Sequence, residues 1–256
     1  MSKIVGIALN TAREAIRNKI LYSILFFALL VVAIAGTLGS FSIGDQMKFI
    51  KDFCLMSISL FGVVIAIVLG VNLLAKELGK KTIFNILSKP VARWQFIVGK
   101  FLGLFATSTL IVAFMIAGVV TFLRFFEGHL DWGLVLAAIM TDCELMLVIA
   151  VALFFSSVVV TPTLAGMFTA AVFVAGRSSD YLRLFFTDEY PVSVQTTFRA
   201  LYWLLPHLDR FNIADLVVYG QYLDLRYAIA LVAYALGYTG ILLLLSIALF
   251  QRREFS

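Results

Sequence analysis

Long apolar runs alternate with short polar segments along this 256-residue chain. A membrane-spanning helix needs about 20 consecutive, mainly apolar residues, and six stretches fit that length: 20–39, 53–75, 101–123, 134–159, 163–180 and 228–250. Backbone groups in lipid must be hydrogen-bonded within the protein, and no alternating ten-residue pattern suggests a barrel, so the spans should be helices. The sequence predicts an all-α polytopic membrane protein with one transmembrane domain over 1–256.

The amino-acid composition supports a membrane protein and excludes a soluble or nucleic-acid-binding protein. Hydrophobic residues make up 62% of the chain, charged residues 14%, and the mean hydropathy is +1.02, which leaves too little charge to cover a soluble domain. The net charge of +5 comes from basic residues that gather on one side of the spans. That arrangement indicates membrane topology, and we exclude nucleic acid as a partner.

The distribution of Lys and Arg predicts the orientation. With the N-terminus inside, 12 of the 20 basic residues fall in the cytosolic segments, which are 1–19, 76–100, 160–162 and 251–256. The outer loops hold the other eight, together with ten acids. The positive-inside rule therefore places both termini in the cytosol.

Residues 1–19 predict an amphipathic helix in the headgroup plane. Basic and polar side chains fall on one arc of the helical wheel and apolar ones on the other. Arg13, Arg17 and Lys19 would then face the anionic inner leaflet, so membrane lipids are an expected partner. The alternative is a plain cytosolic extension of the first span.

Segment 76–100 packs six basic residues and one acid between two apolar runs. Its periodicity predicts a helix to Leu87, a break at Ser88-Lys89-Pro90 and a second helix, 91–100, leading into the third span. Trp94 and Phe96 would lie at interface depth. We interpret the segment as a folded cytosolic docking element; the alternative is a solvated basic loop that only fixes topology.

The outer loop 177–227 is long but rich in apolar side chains, and Pro191 and Pro206 interrupt it. This pattern predicts short amphipathic or re-entrant helices at the outer leaflet. They would form either an outer gate of a translocation path or a passive lid over the bundle.

Polar residues within the spans are candidates for a translocation path: Asn72, Asp142 and Glu144. Asp142 and Glu144 are two residues apart, about 200° around a helix, so they cannot face the same cavity. The alternative is that the span begins later and both carboxylates lie at the outer surface. Cys54 and Cys143 are expected to be buried free thiols.

Motifs for catalysis and metal binding are not found in the sequence. Gly79-Lys80-Lys81-Thr82 ends like a nucleotide-binding loop, but position 74 is Leu where that motif needs Gly. The two histidines, His129 and His207, are far apart and are interpreted as surface residues rather than metal ligands. No catalytic residue, metal site or bound cofactor is therefore predicted for this chain.

Segment 77–100 resembles the signature of ABC-2-type permeases, the membrane subunits of ATP-binding-cassette exporters. The matching residues are Glu77, Lys80, Lys81, Thr82, Leu87, Ser88, Lys89, Pro90, Val91, Arg93, Trp94, Phe96, Gly99 and Lys100. Residues 13–19 resemble the family's interfacial helix and 205–212 its outer loop. The resemblance is strongest to the branch that includes the permease for nitrous-oxide-reductase maturation.

The resemblance implies a half-transporter in a bacterial cytoplasmic membrane. A second permease subunit would complete it as a homodimer. Two cytosolic ATPase subunits would bind ATP and Mg, and a periplasmic partner is possible by the same resemblance. The region 76–93 would be the coupling helix, with ATPase-coupling residues Glu77, Lys80, Lys81, Thr82, Asn85, Ser88, Lys89, Pro90 and Arg93. The alternative function is a self-sufficient secondary transporter or channel.

Overall fold

The computed structural model describes residues 3–39, 46–79, 92–127, 132–159, 161–187, 190–221 and 223–252. All regular elements within these ranges are helical. The α-helices are α1 (Lys3–Ile16), α2 (Lys19–Gly39), α3 (Gln46–Gly79), α4 (Arg93–Glu127), α5 (Trp132–Val158), α6 (Pro162–Arg177), α7 (Val192–Leu204), α8 (Ala214–Val218) and α9 (Leu225–Arg252). Two 3₁₀ helices, Ser179–Phe186 and Leu208–Phe211, lie between α6 and α8.

Each predicted apolar stretch lies mainly in one helix, and the chain is a multi-pass membrane protein. In the described residues, α3, α4, α5 and α9 are individually long and apolar enough to cross a membrane, and α1 with α2, bent by 61°, forms a fifth candidate. The 16 residues of α6 extend only about 24 Å, less than the roughly 30 Å hydrocarbon core. Six spans therefore remain a prediction.

Helix α5 forms the centre of the bundle. It contacts α3, α4, α6 and α9, and a continuous run from Cys143 to Leu153 is buried. This helix is apolar on every side except at a few polar positions, which is the pattern of a helix surrounded by protein. Glu144, one of the two carboxylates predicted for the fourth span, lies within this buried run, and Asp142, directly before the run, is partly buried.

Residues 3–16 of the predicted amphipathic segment form helix α1, and one face of this helix packs against α4. Its place in the headgroup plane stays a prediction. Gly99 and Gly103, one turn apart on α4, allow the two backbones to approach closely. A Cβ at Gly103 would lie 2.5 Å from the Ala8 carbonyl oxygen. Thr11 and Ala15 of α1 are buried as a result.

Helices α3 and α4 flank the predicted docking element. Helix α3 continues to Gly79, and the predicted short helix 91–100 is the beginning of α4. Residues 80–91, including the predicted break at Pro90, lie outside the described ranges.

The loop 177–227 contains short helices, and its position at the outer leaflet stays a prediction. Pro191 precedes α7, and Pro206 follows its end. The loop is anchored to α6 at Gly176, where a Cβ would lie 2.5 Å from the Pro206 carbonyl oxygen. Cys54 and Cys143 are buried free thiols, as expected.

Candidate functional site

A buried ion pair joins three helices inside the bundle. The Glu144 carboxylate on α5 is 1% exposed and accepts a hydrogen bond from the guanidinium of Arg177, the last residue of α6. The other carboxylate oxygen accepts a hydrogen bond from the Ser59 hydroxyl on α3 at 3.2 Å. Nη1 of Arg177 also donates to Ser59 Oγ at 3.2 Å. Both oxygens of this carboxylate therefore have partners, which is what makes a buried charge tolerable.

Asp142 faces the opposite side of α5, toward α4. Its Oδ2 lies 2.7 Å from the Thr109 hydroxyl, which is also 3.0 Å from the Phe105 carbonyl oxygen. One hydroxyl proton serves only one of these acceptors at a time. The second oxygen, Oδ1, is buried with no hydrogen-bond partner in the described part of the protein. Asp142 is therefore the less satisfied of the two carboxylates.

The separation of the two carboxylates agrees with the helical geometry expected from sequence. Glu144 contacts α3 and α6, whereas Asp142 contacts α4. The Glu144 side chain is enclosed by protein, and the depth of the two carboxylates in the membrane stays a prediction.

Arg177 is the residue of this site that sequence reasoning missed. From the sequence it is assigned to the loop 177–227, although it lies near the end of the predicted span 163–180. A cation at the end of an apolar stretch is a candidate partner for an acid within another span. The sequence contained that signal, but it did not show which acid Arg177 would meet.

Arg93, one of the predicted ATPase-coupling residues, caps the last helix of the same chain. Its Nη1 donates to the carbonyl oxygens of Phe250 at 3.2 Å and Gln251 at 2.8 Å. Carbonyls at a helix C-terminus lack intrahelical partners and favour a cation. The rings of Phe96 and Phe250 stack at 5.9 Å beside this contact, and Lys100, one turn further along α4, is 1% exposed. The beginning of α4 is thus bound to the end of α9.

The remaining predicted coupling residues cannot be placed in the same way. Glu77 lies in the last turns of α3. The others lie outside the described residues: Lys80, Lys81, Thr82, Asn85, Ser88, Lys89 and Pro90.

Asn72 lies apart from the other two predicted path residues. It is 13 positions beyond Ser59 on α3, about 20 Å along the helix. It lines instead a cleft of about 750 Å³ that also contains Arg13, Arg17 and Lys19. The structure therefore brings one predicted path residue, Asn72, together with the basic residues of the predicted interfacial helix.

In the loop 177–227, a compact polar cluster surrounds Tyr202. The hydroxyl of this buried tyrosine accepts hydrogen bonds from Arg183 Nε at 3.1 Å and from Arg210 Nη2 at 3.2 Å. The Ser179 hydroxyl donates to the Asp209 carboxylate at 2.5 Å. These contacts fold the loop against the end of α6.

His207 is buried in the same cluster, so its interpretation as a surface residue is wrong. It is 6% exposed, its backbone N–H donates to the Tyr234 hydroxyl at 3.0 Å, and Nδ1 lies 3.3 Å from that oxygen. Burial lowers the pKa of His207, and the nearby Arg210 lowers it further. No group of His, Cys, Asp and Glu in the described residues has an arrangement suited to a metal; His129 lies outside them.

The described helices form a polytopic bundle with a buried ionic contact between two of them, and comparison with known families gives the class of the protein. The chain belongs to the ABC-2 family of transporter proteins, since the family model described as "ABC-2 family transporter protein" matches residues 5–255. The expected resemblance is confirmed at the level of this family. A search of individually curated proteins gives no match.

Proposed function

We propose that this chain is the membrane subunit of an ATP-driven ABC exporter that moves its substrate across a bacterial cytoplasmic membrane. The observation that carries the proposal is the family match over residues 5–255, nearly the whole chain. Permeases of this family normally pair with an ABC ATPase. ATP and Mg would be bound by two such subunits, and two permease chains would form the translocator. The nitrous-oxide-reductase maturation branch is the finer assignment we propose.

The docking site for the ATPase would lie between the end of α3 and the beginning of α4. These helices flank the basic residues 80–91, which include Lys80, Lys81 and Lys89. A force applied there would reach α9 through the hydrogen bonds from Arg93 to the carbonyls of Phe250 and Gln251. Arg93 would therefore act as a positioning residue that connects the coupling region with the last helix.

Within the bundle, Asp142 is the preferred candidate for a residue of the translocation path. Its Oδ1 lacks a partner among the described residues, and an incompletely satisfied carboxylate within a span is by default a functional candidate. Glu144 is better explained as a structural residue, because Arg177 and Ser59 satisfy its carboxylate. The outer-loop helices would lie at the periplasmic end, where a periplasmic partner could bind.

Co-purification from mild detergent tests the proposal. We would compare the wild type with Lys80→Glu/Lys81→Glu, and with the control Arg199→Glu/Arg226→Glu, which makes the same charge change in the 177–227 loop. Arg93 is left intact because its contact with α9 would confound the result. We expect an ATPase with Walker motifs to co-purify with the wild type and the control, and to be lost from the 80/81 variant.

Purification of the wild type without an ATPase in any mild detergent would contradict the exporter assignment. The runner-up, a self-sufficient transporter or channel, would then be tested by ion flux through the isolated protein in liposomes. Equal loss of the ATPase in both variants would contradict the assigned docking site and leave the exporter assignment standing.

A further inference from the structure

The junction of α1 and α2 forms one wall of a polar cleft. Helix α1 ends at Ile16, α2 begins at Lys19, and the two axes are bent by 61°. Asn18 between them caps α2, because its side-chain oxygen accepts a hydrogen bond from the Ile20 N–H at 3.1 Å. Asn72 of α3 forms the opposite wall. The cleft has a volume of about 750 Å³, which is ample for a phosphate group with its substituents.

The described residues that line the cleft are all polar and carry a net positive charge. Three basic side chains and one carboxylate, that of Glu14, line it; the basic residues are Arg13, Arg17 and Lys19. Three side-chain amides add neutral hydrogen-bond donors: Asn10, Asn18 and Asn72. Guanidinium, ammonium and amide groups around one opening match the oxygens of a phosphate.

The position of Lys19 adds an independent reason to expect an anion. Lys19 is the first residue of the 21-residue helix α2, whose first turn carries no acid. The positive end of a helix dipole disfavours a cation and favours an anion. Arg13, in the last turn of α1, is explained by the negative end of that helix, but Lys19 has no such explanation. A bound anion would offset both the lysine and the helix terminus.

An exposed apolar stripe on α2 starts at the cleft. Tyr22, Phe26, Phe27 and Leu30 are 54%, 63%, 58% and 38% exposed, and they follow Lys19 by 3, 7, 8 and 11 residues, which places them on its face of the helix. An anionic headgroup in the cleft would thus continue into an apolar surface long enough for acyl chains.

We propose that this cleft binds the phosphate of an anionic phospholipid, whose acyl chains lie along the exposed face of α2. Arg17 and Lys19 would contact the phosphate oxygens and Asn72 would donate from the opposite wall. The bend between α1 and α2 would be the element that the lipid holds in place. This inference does not depend on the exporter assignment.

Native mass spectrometry of the delipidated protein tests the proposal. Dioleoyl phosphatidylglycerol and dioleoyl phosphatidylcholine share their acyl chains and differ in headgroup charge. We expect the wild type to bind the glycerol lipid at least about tenfold more tightly, because basic residues attract an anionic headgroup. Arg17→Gln/Lys19→Gln should abolish that preference, and Asn72→Leu, which changes no charge, should weaken it severalfold.

The control Arg199→Gln/Arg226→Gln removes the same charge from the 177–227 loop and should bind as the wild type does. Equal loss in both double variants, or no effect of Asn72→Leu, would show attraction by net charge alone and overturn the cleft assignment. Displacement of the lipid by an equal concentration of inorganic phosphate would overturn the lipid assignment in favour of a soluble phosphate. Loss of a dimer in the Arg17/Lys19 variant with unchanged lipid binding would assign this face to a second copy.

Discussion

Glu144 and Arg177 form one ion pair but contribute unequally to stability. The Arg177 side chain is 27% exposed and reaches water without its partner, whereas Glu144 is 1% exposed. Arg177→Met leaves a buried carboxylate uncompensated, and we expect a loss of about 3–5 kcal/mol. Glu144→Gln keeps the size of the side chain and leaves Arg177 solvated, so we expect about 1–2 kcal/mol. Reversible unfolding in mixed micelles measures both.

The exposed Arg226 supplies the matched control for this pair, since Arg226→Met removes an exposed guanidinium and should cost at most about 1 kcal/mol. The double variant Arg177→Met/Glu144→Gln should regain part of the loss, because no buried charge remains. Equal losses in the two single variants would show that the carboxylate does not depend on Arg177 for compensation.

The stability of the outer loop should depend on the protonation of His207. Burial lowers its pKa below the ordinary 6.5, Arg210 and Arg183 act in the same direction, and Asp209 and Asp180 act against them. The unfolded chain therefore binds a proton at a higher pH than the folded chain. This contribution to stability is present above about pH 6.5 and is lost as the pH falls through the lowered pKa.

Unfolding midpoints from pH 7.5 to pH 5 measure this effect, and the two histidines of the chain provide a matched pair of variants. His207→Gln should flatten the decline in stability below pH 6.5, and His129→Gln should leave it as in the wild type. A decline that persists in the His207 variant would assign the pH dependence to carboxylates elsewhere.

The sequence predicted which sides of α5 its two carboxylates face, but it did not predict which residues of other helices they contact. Two carboxylates two positions apart must face different sides of α5, and they do. Arg177 and Thr109 each lie 33 residues from their acid, and nothing in the local pattern records such a contact. His207 appeared to be a surface residue because its burial depends on packing against Tyr234, 27 residues further along the chain.

At the scale of elements, the packing of α1 on α4 depends on Gly103. A Cβ there would lie 2.5 Å from the Ala8 carbonyl oxygen and 2.7 Å from Thr11 Cβ, both on α1. Gly103→Ala should therefore displace α1 and destabilise the protein by about 1–3 kcal/mol. The same substitution at Gly118, where no atom lies within 4 Å, should be neutral or stabilising by up to about 1 kcal/mol.

Amide hydrogen exchange in α1 distinguishes the local effect from a global one. Faster exchange over residues 5–16 in Gly103→Ala, with Gly118→Ala like the wild type, is the expected result. Unchanged exchange in Gly103→Ala would mean that α1 accommodates the methyl group and that the close approach is not required.

The helices themselves were predictable because apolar runs and their breaks are local properties. The helix ends were less predictable. Helix α3 begins seven residues before the predicted span, because helical hydrogen bonding continues beyond the apolar stretch, whereas the early start of α4 agrees with the predicted helix 91–100. Helix α6 differs from α3, because it is shorter than its predicted span. Its predicted span extended to residue 180, but the backbone turns into a 3₁₀ helix at Ser179, since the outer loop packs back at Gly176.

For the whole molecule, the open question is how many helices cross the membrane, and α6 decides it. If α6 crosses, the chain has six spans, both termini lie in the cytosol and the loop 177–227 lies outside. If α6 does not cross, the loop lies inside and the C-terminus outside. Consecutive spans cross the membrane in opposite directions. One wrongly assigned span therefore moves every later loop and the C-terminus to the other side of the membrane.

Single cysteines answer this question directly, because Cys54 and Cys143 are buried and give the wild type a low labelling background. A membrane-impermeant maleimide should label Ser193→Cys, on the exposed part of α7, in intact cells. It should label Asn10→Cys, on α1, and Ser256→Cys only after permeabilisation. Labelling of Ser256→Cys but not Ser193→Cys in intact cells would show instead that the 16-residue helix α6 does not cross. Six spans would then be wrong, and the outer-loop cluster around Tyr202 and His207 would face the cytosol.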